Sequence, residues 1–393
     1  MNPDLERLHP YPFEKLRHLL ADITPADKPP VALSIGEPRH PAPAFVLRTL
    51  EEHAHALSRY PATAGTAELR RAIAGWIEHR FAPARVEPDT QVLPVTGTRE
   101  ALFSIVQAVV DRTNDARVLM PNPFYQIYEG ATLLAGARPE YLPCTAATNF
   151  RPDLDALSEQ AWNECQILFL CTPGNPVGTV LSVAQLQHLI TLADRHDFLI
   201  VSDECYSEIY DRNPPPGLLQ AAAEMGRTDF RRCLAFHSLS KRSNLPGLRS
   251  GFAAGDAEVL QRYRLYRTYQ GCAMPLHHQK ASIAAWSDED HVAENRAAYR
   301  RKFATVLDIL GDVLKVSAPD AGFYLWPETP LDDETFTREL LRQQNVQVLP
   351  GRYLSREVNG ANPGANRVRM ALVDGEEECA EGARRIRAFV EGL

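Results

Sequence analysis

Five short and almost wholly apolar runs, separated by longer segments with helical periodicity, limit the fold of this chain more than any other feature. The runs are QVLPV at 91–95, RVLM at 117–120, QILFLC at 166–171, FLIVSD at 198–203 and CLAFHS at 233–238. Strands without polar alternation are typical of parallel sheets covered on both faces. Helices are expected at 100–111, 183–196 and 256–269. This alternation predicts an α/β fold whose mostly parallel sheet is sandwiched by helices.

The pattern changes after about residue 284, where a long charged helix at 292–310 is followed by short apolar runs. These runs are VLKVS, GFYLW, VQVLP and RVRMAL, and a closing helix is expected from Glu376. Such a pattern is typical of a smaller α+β domain. A chain of 393 residues is also too long for one small core. We therefore predict a large domain at 46–283 and a small domain that combines 1–45 with 284–393.

Charge and cysteine content narrow the classes of function. A net charge of −8 and a pI near 5.9 argue against a nucleic-acid or anionic-membrane partner, which generally requires a basic face. The seven cysteines are scattered without a Cys-x-x-Cys pair, so neither a disulfide framework nor a metal site is expected. The first residues lack a signal-peptide pattern, and every apolar stretch is far shorter than the ~20 residues of a membrane span. We expect a soluble cytoplasmic protein. No Gly-x-Gly-x-x-Gly fingerprint supports a nicotinamide-binding Rossmann fold.

The segment FHSLSKRSNLPGLRSGF places a lysine and polar neighbours directly after a predicted strand. The carboxyl ends of strands are where open α/β sheets bind their ligands. Ser238 and Ser240 offer two hydroxyl donors and Arg249 a forked cation, which suits a phosphate dianion beside the amine of Lys241. The alternative for an isolated lysine is a solvated surface charge. Together the four residues indicate a site for a phosphorylated aldehyde.

A second anion contact is indicated by PVTGTREAL, where a strand ends at Gly97 and a helix opens with Thr98 and Arg99. The free N–H groups and the dipole of a helix N-terminus attract phosphate. A plain helix N-cap is the alternative for this segment alone. The anion-binding interpretation of this segment is therefore supported only in combination with the phosphate site predicted beside Lys241.

Three polar side chains after strands suit an aromatic nitrogen heterocycle. Asp203 ends FLIVSD, and a buried carboxylate there needs a cationic partner such as a pyridinium N–H. Asn175 in FLCTPGNPVGT and Tyr206 in SDECYSEIY are suitable partners for a phenolate oxygen. The alternatives are a helix N-cap for Asp203 and a simple turn residue for Asn175.

Two further segments suit stacking and carboxylate binding. MPNPFYQIYEGA presents Phe124 and Tyr125 just past a strand, where a flat ring can stack on a flat cofactor, with core packing as the alternative. NRVRMALV puts Arg369 inside a strand of the predicted small domain. A buried arginine requires an anion, which a substrate carboxylate or a structural salt bridge would supply.

In chain order these segments resemble the class I/II, fold-type-I, pyridoxal-5′-phosphate (PLP)-dependent aminotransferases over essentially the whole chain. LSIGEPRHPAP around Gly36 is similar to the family's amino-terminal substrate-binding stretch. RYPATAGTAELRRAI contains Tyr60, which matches a tyrosine that reaches the cofactor phosphate of a partner subunit. The strings HPYPFEKL, NPFYQIYEGA, ECYSEIY and SLSKRSNLPG further resemble the N-succinyldiaminopimelate aminotransferase branch.

The resemblance implies a role for each of these positions. Lys241 would hold PLP as a Schiff base and shuttle a proton, with Asp203 on the pyridine nitrogen, and Asn175 and Tyr206 on the ring oxygen. Tyr125 would stack on the ring, at a position where tryptophan is more familiar. The phosphate contacts would be Thr98, Arg99, Ser238, Ser240, Arg249 and the partner's copy of Tyr60, although small or varied residues are usual at the position of Arg99. Gly36, Asn175 and Arg369 would bind the substrate carboxylate.

The reaction implied is a ping-pong transamination between glutamate and N-succinyl-2-amino-6-oxopimelate by a homodimer. Arg39 and Arg242 are candidates for the distal carboxylates of that substrate. The alternatives are an aminotransferase for another amino acid (aspartate, aromatic or diaminopimelate), a PLP-dependent β-eliminating C–S lyase, and a non-catalytic protein that kept the fold. Intact Lys241, Asp203 and Arg249 argue against the last of these.

Overall fold

The computed structural model describes residues 1–154 and 157–393. Its strands, in chain order, are β1 Val31–Ala32, β2 Val92–Val95, β3 Arg117–Asn122, β4 Arg138–Pro143, β5 Cys165–Cys171, β6 Leu199–Asp203, β7 Cys233–Ser238, β8 Gly251–Gly255, β9 Tyr324–Leu325, β10 Val346–Gln347, β11 Leu349–Pro350 and β12 Val368–Ala371.

The α-helices, in chain order, are α1 Pro12–Leu19, α2 Ala44–Glu52, α3 Ala67–Arg80, α4 Thr98–Val109, α5 Gln126–Leu134, α6 Glu159–Asn163, α7 Val183–His196, α8 Leu218–Glu224, α9 Leu239–Arg242, α10 Ala257–Gln270, α11 Leu276–Trp286, α12 Asp290–Leu310, α13 Asp333–Gln344 and α14 Glu376–Glu391. Short 3₁₀ turns lie at Pro3–Arg7, Ala54–Ser58, Ala146–Thr148, Pro246–Leu248 and Gly351–Leu354.

The largest sheet has the strand order β2-β8-β7-β6-β5-β3-β4. Its strands run parallel except β8, which is antiparallel to both of its neighbours. Successive side chains of β5 pack into two different apolar cores, one on each face of the sheet. Leu168 lies in one core, and Ile167 and Phe169 lie in the other. This double burial explains the uniformly apolar runs. The predicted α/β fold with a mostly parallel sheet between helices is confirmed.

A smaller α+β part contains the antiparallel sheet β11-β12-β9 and the parallel pair β1-β10. A separate apolar core, which includes Leu33, Val306 and Ile386, lies beneath these strands. The pairing of β1 with β10 joins the amino-terminal segment to the carboxyl-terminal part of the chain. The domain limits, 46–283 for the large domain and 1–45 with 284–393 for the small one, stay a prediction.

One predicted strand is wrong. VLKVS at 313–317 forms only an isolated bridge between Lys315 and Glu328. The N–H groups of Val313 and Leu314 bond back to the carbonyl of Leu310 at the end of α12, so they are not free for a ladder. Its apolar residues nevertheless pack on the core of the smaller part.

The sequence analysis predicted neither a membrane-spanning segment nor a metal site. No helix in the described residues has the length and apolar character needed to cross a membrane, and the cytoplasmic location stays a prediction. Within the same residues there is no cluster of three or more His, Cys, Asp or Glu side chains suited to a metal ion.

Candidate active site

A cavity of about 500 Å³ opens where β3, β5, β6 and β7 end, the edge at which open α/β sheets bind ligands. All of the candidate site residues except Tyr60, Arg39 and Arg242 line it. They are Gly36, Thr98, Arg99, Tyr125, Asn175, Asp203, Tyr206, Ser238, Ser240, Lys241, Arg249 and Arg369. The structure therefore brings together segments that are as much as 333 residues apart in the sequence, from Gly36 to Arg369.

Lys241 lies in α9, a single helical turn that follows β7 directly. Its Nζ donates a 2.6 Å hydrogen bond to the carbonyl of Gly36. Burial lowers the pKa of the Lys241 ammonium from 10.5 to about 8, and the nearby guanidinium of Arg369 acts in the same direction. A substantial fraction of this amine is therefore neutral, and so nucleophilic, near pH 8.

The amino end of α4 and Arg249 form an anion cradle. Gly97 caps α4 with φ of 91°, and a Cβ there would lie 2.2 Å from Nη2 of Arg249. The positive φ favours glycine here, and the missing Cβ leaves room for the guanidinium of Arg249. The hydroxyls of Ser238 and Ser240 lie 2.9 Å apart on the same cavity wall. Free helix N–H groups, two hydroxyls and a cation are the donors that a phosphate dianion needs.

Asp203 ends β6 and is only 5% exposed. Its Oδ2 accepts a 2.7 Å hydrogen bond from the hydroxyl of Tyr128, and its Oδ1 accepts one from the N–H of Cys205 at 3.3 Å. Burial raises the pKa of the carboxyl, and these hydrogen bonds oppose the rise. Neither donor is a cation, so the buried carboxylate suits a cationic N–H in the cavity. The interaction with Tyr128 has no signal in the sequence beyond its place in an apolar helix.

Arg369 lies on β12 with its guanidinium turned into the cavity and is 4% exposed. Nη1 donates to Oδ1 of Asn175 at 3.1 Å, and Nη2 donates to the carbonyl of Ser34 at 2.9 Å. Nε is buried and has no hydrogen-bond partner among the described residues. A buried donor without an acceptor is costly, so the arginine suits a carboxylate ligand.

Arg99 points away from the phosphate cradle. Its Nε donates to the hydroxyl of Tyr125 at 2.6 Å, and its Nη2 donates to the hydroxyl of Tyr11 at 2.9 Å. Tyr11 precedes α1 and lines the cavity together with Pro12 and Phe13. Sequence reasoning assigned no role to this segment, and its aromatic and proline residues gave no chemical signal. The side chain of Arg99 thus lies between Tyr125 and Tyr11, where the amino-terminal segment forms part of the cavity wall.

Among the described residues that line the cavity, four side chains are basic and two, Glu37 and Asp203, are acidic. In the described part of the chain, the hydrogen-bond acceptors of Arg99, Lys241, Arg249 and Arg369 are all neutral groups. The cavity therefore attracts ligands that carry several negative charges.

Three of the sequence-derived candidates lie elsewhere. Tyr60 is fully exposed, at 101%, and contributes nothing to the cavity of its own chain. Arg39 pairs with Asp374 at 2.7 Å and is outside the cavity lining. The expectation for Arg242 is wrong, because its side chain is 2% exposed and bonds to Glu289 and to the carbonyl of Ala285.

A phosphate cradle, a partly neutral lysine and a buried carboxylate in one cavity are suited to PLP, and the mostly parallel α/β sheet is that of a class of PLP enzymes. The comparisons with known proteins name the family. The family model described as aminotransferase class I and II matches residues 28–386, and the chain belongs to that family. It is therefore a PLP-dependent aminotransferase that acts on amino acids and keto acids.

Individual relatives agree with this assignment. An LL-diaminopimelate aminotransferase of Dehalococcoides mccartyi is 31% identical over 394 residues, which cover 98% of this chain and 97% of the relative. The crystal structure of an aminotransferase from Neisseria meningitidis is 48% identical, with a TM-score of 0.95 and 99% of both chains covered. A probable N-succinyldiaminopimelate aminotransferase from Thermus thermophilus is 26% identical, with a TM-score of 0.85, covering 96% of this chain and 100% of that one.

Proposed function

We propose that the chain transfers the amino group of glutamate to N-succinyl-2-amino-6-oxopimelate, forming N-succinyl-LL-2,6-diaminopimelate in bacterial lysine and diaminopimelate biosynthesis. The observation that carries the proposal is a set of three arginines around one cavity, Arg99, Arg249 and Arg369, whose hydrogen-bond acceptors among the described residues are all neutral. A substrate with carboxylates at both ends uses two of them in addition to the phosphate contact. The names of the relatives from D. mccartyi and T. thermophilus support a substrate of the diaminopimelate type.

We assign the cofactor contacts from the same geometry. Lys241 would bond to the aldehyde carbon, Asp203 would hold a proton on the ring nitrogen, and Tyr125 would stack on the ring. Asn175 and Tyr206 would bind the ring oxygen. The phosphate would lie between the amino end of α4 and the side chains of Thr98, Ser238, Ser240 and Arg249, joined by the backbone N–H of Arg99.

When it is bound, PLP supplies the electron sink that makes the Cα–H bond of the amino acid acidic. Lys241, once the amine of the substrate has displaced it, would be the base that takes the proton from Cα and passes it to the cofactor. The lowered pKa of this lysine fits that task, because the base must be neutral before it accepts the proton. The carbonyl of Gly36, which accepts a hydrogen bond from Nζ, keeps the amine at the edge of the cavity that the substrate enters.

Arg369 would bind the carboxylate beside the reacting carbon. Its partnerless Nε and the remaining N–H groups of its guanidinium fit a bidentate carboxylate, and Asn175 and Gly36 complete that end of the cavity. Arg99 and Tyr11, which are hydrogen-bonded to each other in the cavity wall, would bind a distal carboxylate. Specificity for a long dicarboxylate would then come from the amino-terminal segment.

We further propose a homodimer in which the exposed Tyr60 reaches the phosphate in the partner's cavity. A tyrosine with its whole side chain in solvent has no packing role in its own chain. The predicted large domain, 46–283, would carry the cofactor, and the two pieces of the small domain would close over the substrate.

The second candidate substrate is LL-diaminopimelate itself, favoured by the name of the relative from D. mccartyi. Both candidates leave a distal carboxylate for Arg99, but only the first carries an N-succinyl group. The test measures glutamate formation from 2-oxoglutarate with N-succinyl-LL-2,6-diaminopimelate, LL-diaminopimelate, aspartate and phenylalanine as amino donors. The proposal predicts the largest kcat/KM for the succinylated donor.

A larger kcat/KM for unsuccinylated LL-diaminopimelate would replace the first substrate by the second. A preference for aspartate or phenylalanine would refute both. Pyruvate release from cysteine conjugates, without glutamate formation from any donor, would identify a C–S lyase instead.

A further inference from the structure

We propose that Tyr324 is a positioning residue that couples the substrate-carboxylate arginine, Arg369, to the phenol of Tyr206. The inference rests on the proposed roles of these two residues. Tyr324 lies on β9, is 4% exposed and lines the cavity. It contacts three of the candidate site residues from one buried position, although no motif in the sequence distinguished it.

The first contact is a hydrogen bond between two phenols. The hydroxyls of Tyr206 and Tyr324 lie 3.1 Å apart, and both rings are buried. Each phenol has a single proton. If Tyr206 gives its proton to a ligand in the cavity, its oxygen is free to accept one, and Tyr324 is the neighbour that donates it. A hydroxyl that accepts a hydrogen bond becomes a better donor, so Tyr324 strengthens the bond that Tyr206 makes to the ring oxygen.

The second contact is with Arg369. The Cζ atom of its guanidinium lies 4.4 Å from the centre of the Tyr324 ring, which is cation–π geometry. The ring supports the guanidinium from one side, while Asn175 and the carbonyl of Ser34 fix its Nη atoms. The aromatic face therefore holds the arginine ready for a carboxylate.

The third contact explains the glycine at position 36. A Cβ on Gly36 would lie 2.0 Å from the hydroxyl oxygen of Tyr324. The carbonyl of the same glycine accepts the hydrogen bond from Lys241. Tyr324 thus occupies the space that a side chain at position 36 would need, and it keeps this backbone close to the lysine.

The two functions of Tyr324 are separable by substitution. Tyr324→Phe removes the hydroxyl and keeps the ring over Arg369, whereas Tyr324→Leu removes both. Tyr353→Phe is the matched control, because its hydroxyl donates to Glu334 at 2.7 Å outside the cavity lining. All of these variants keep the other titratable and charged groups around Lys241, Tyr206 and Tyr324, which are Tyr11, Glu37, Arg99, Cys171, Cys205 and Arg369.

The first readout is a pH titration of the absorbance of the cofactor-loaded protein. Without the donation from Tyr324, the ring oxygen keeps more negative charge and holds the proton on the Lys241 nitrogen more tightly. The midpoint should therefore rise by about half a unit to one unit in Tyr324→Phe and Tyr324→Leu, and stay unchanged in Tyr353→Phe. The second readout is the Kd of glutarate, a dicarboxylate that lacks a reactive group. It should stay within about two-fold in Tyr324→Phe and rise roughly three- to thirty-fold in Tyr324→Leu.

An unchanged midpoint in Tyr324→Phe would overturn the inference. Loss of cofactor binding in this variant would overturn it too, as would an equal rise in the Kd of glutarate in Tyr324→Phe and Tyr324→Leu. A wild-type protein that takes up no cofactor would instead refute the proposed function. The two failures are therefore distinguishable in the same series of measurements.

Discussion

Replacing Tyr128 with phenylalanine removes one hydrogen bond from the buried carboxylate of Asp203 and changes little else. Tyr128 is fully buried, its hydroxyl lies 2.7 Å from Oδ2 of Asp203, and its ring stacks on Phe169 with centroids 4.4 Å apart. Phenylalanine keeps the ring and its stacking, so the space left behind is that of one oxygen atom. The substitution therefore isolates the contribution of the hydrogen bond.

The size of the effect follows from the charge of the acceptor. A hydrogen bond to a charged group contributes about 1.5–3 kcal/mol, and one pKa unit corresponds to about 1.4 kcal/mol. The pKa of Asp203, which burial already raises, should therefore rise further in Tyr128→Phe. A more basic carboxylate competes for the proton that the ring nitrogen of the cofactor needs. The half-reaction with glutamate should then slow by roughly ten- to a hundred-fold.

Stopped-flow absorbance of the cofactor-loaded protein mixed with glutamate measures this rate directly. Tyr141→Phe is the matched control, because its hydroxyl donates to the buried carboxylate of Glu129 at 2.6 Å and lies outside the cavity lining. Both variants lose a phenol–carboxylate bond, but only Tyr128→Phe should react slowly. Equal rates in the two variants would refute the role assigned to Asp203.

Three further predictions concern other parts of the cavity. The rate at which the cofactor-free protein binds PLP should rise with pH and level off above about pH 8. Burial lowers the pKa of Lys241, and the neutral amine is the reactive form. A rise that continues to pH ~10 would contradict this prediction. Arg369→Ala should lower kcat/KM for amino and keto acids by roughly two to three powers of ten, since a buried charge–charge contact to the substrate is lost. An unchanged kcat/KM in steady-state kinetics would rule the contact out. Gly36→Ala should impair activity strongly, because its Cβ would lie 2.0 Å from the hydroxyl of Tyr324. The matched Gly75→Ala, whose Cβ meets nothing within 4 Å, should keep wild-type kcat/KM.

The secondary structure was predictable wherever burial alone determines it. The run at 233–238 and the helix at 183–196 match β7 and α7 residue for residue, because strands buried on two faces and capped amphipathic helices leave clear patterns. Strand β8, with the sequence GFAAG, was missed because glycine and alanine carry no strand signal. Segment 313–317 was predicted as a strand because its apolar alternation is real, but its N–H groups are used by the end of α12.

The cavity was predictable because its main residues follow strands that end at the same edge of one sheet. Asp203, Asn175 and Lys241 could be assigned to the cavity from the order of the motifs and from the rule that open α/β sheets bind ligands at this edge. The partners of these residues were not predictable. Tyr128 and Tyr324 act through contacts between distant elements, and an aromatic residue in an apolar run is ordinarily core.

Arg242 was predicted to contact the substrate, but its side chain lies outside the cavity lining. It is adjacent to Lys241 in sequence, but successive residues on a helix point about 100° apart. Its guanidinium therefore turns away from the cavity and lies between Trp76 and Trp286, 5.5 and 5.0 Å from their ring centres. Adjacency in sequence was a poor guide within a single helical turn.

The most direct test of the central assignment is to locate the lysine that binds the cofactor. The loaded protein is reduced with borohydride, which fixes PLP on the amine, and is then digested for peptide mass spectrometry. We predict that the label lies on the peptide that contains Lys241, and that Lys241→Ala carries none. A label on another buried lysine, such as Lys302, whose pKa burial also lowers to about 8, or no label in the wild-type protein, would contradict the assignment.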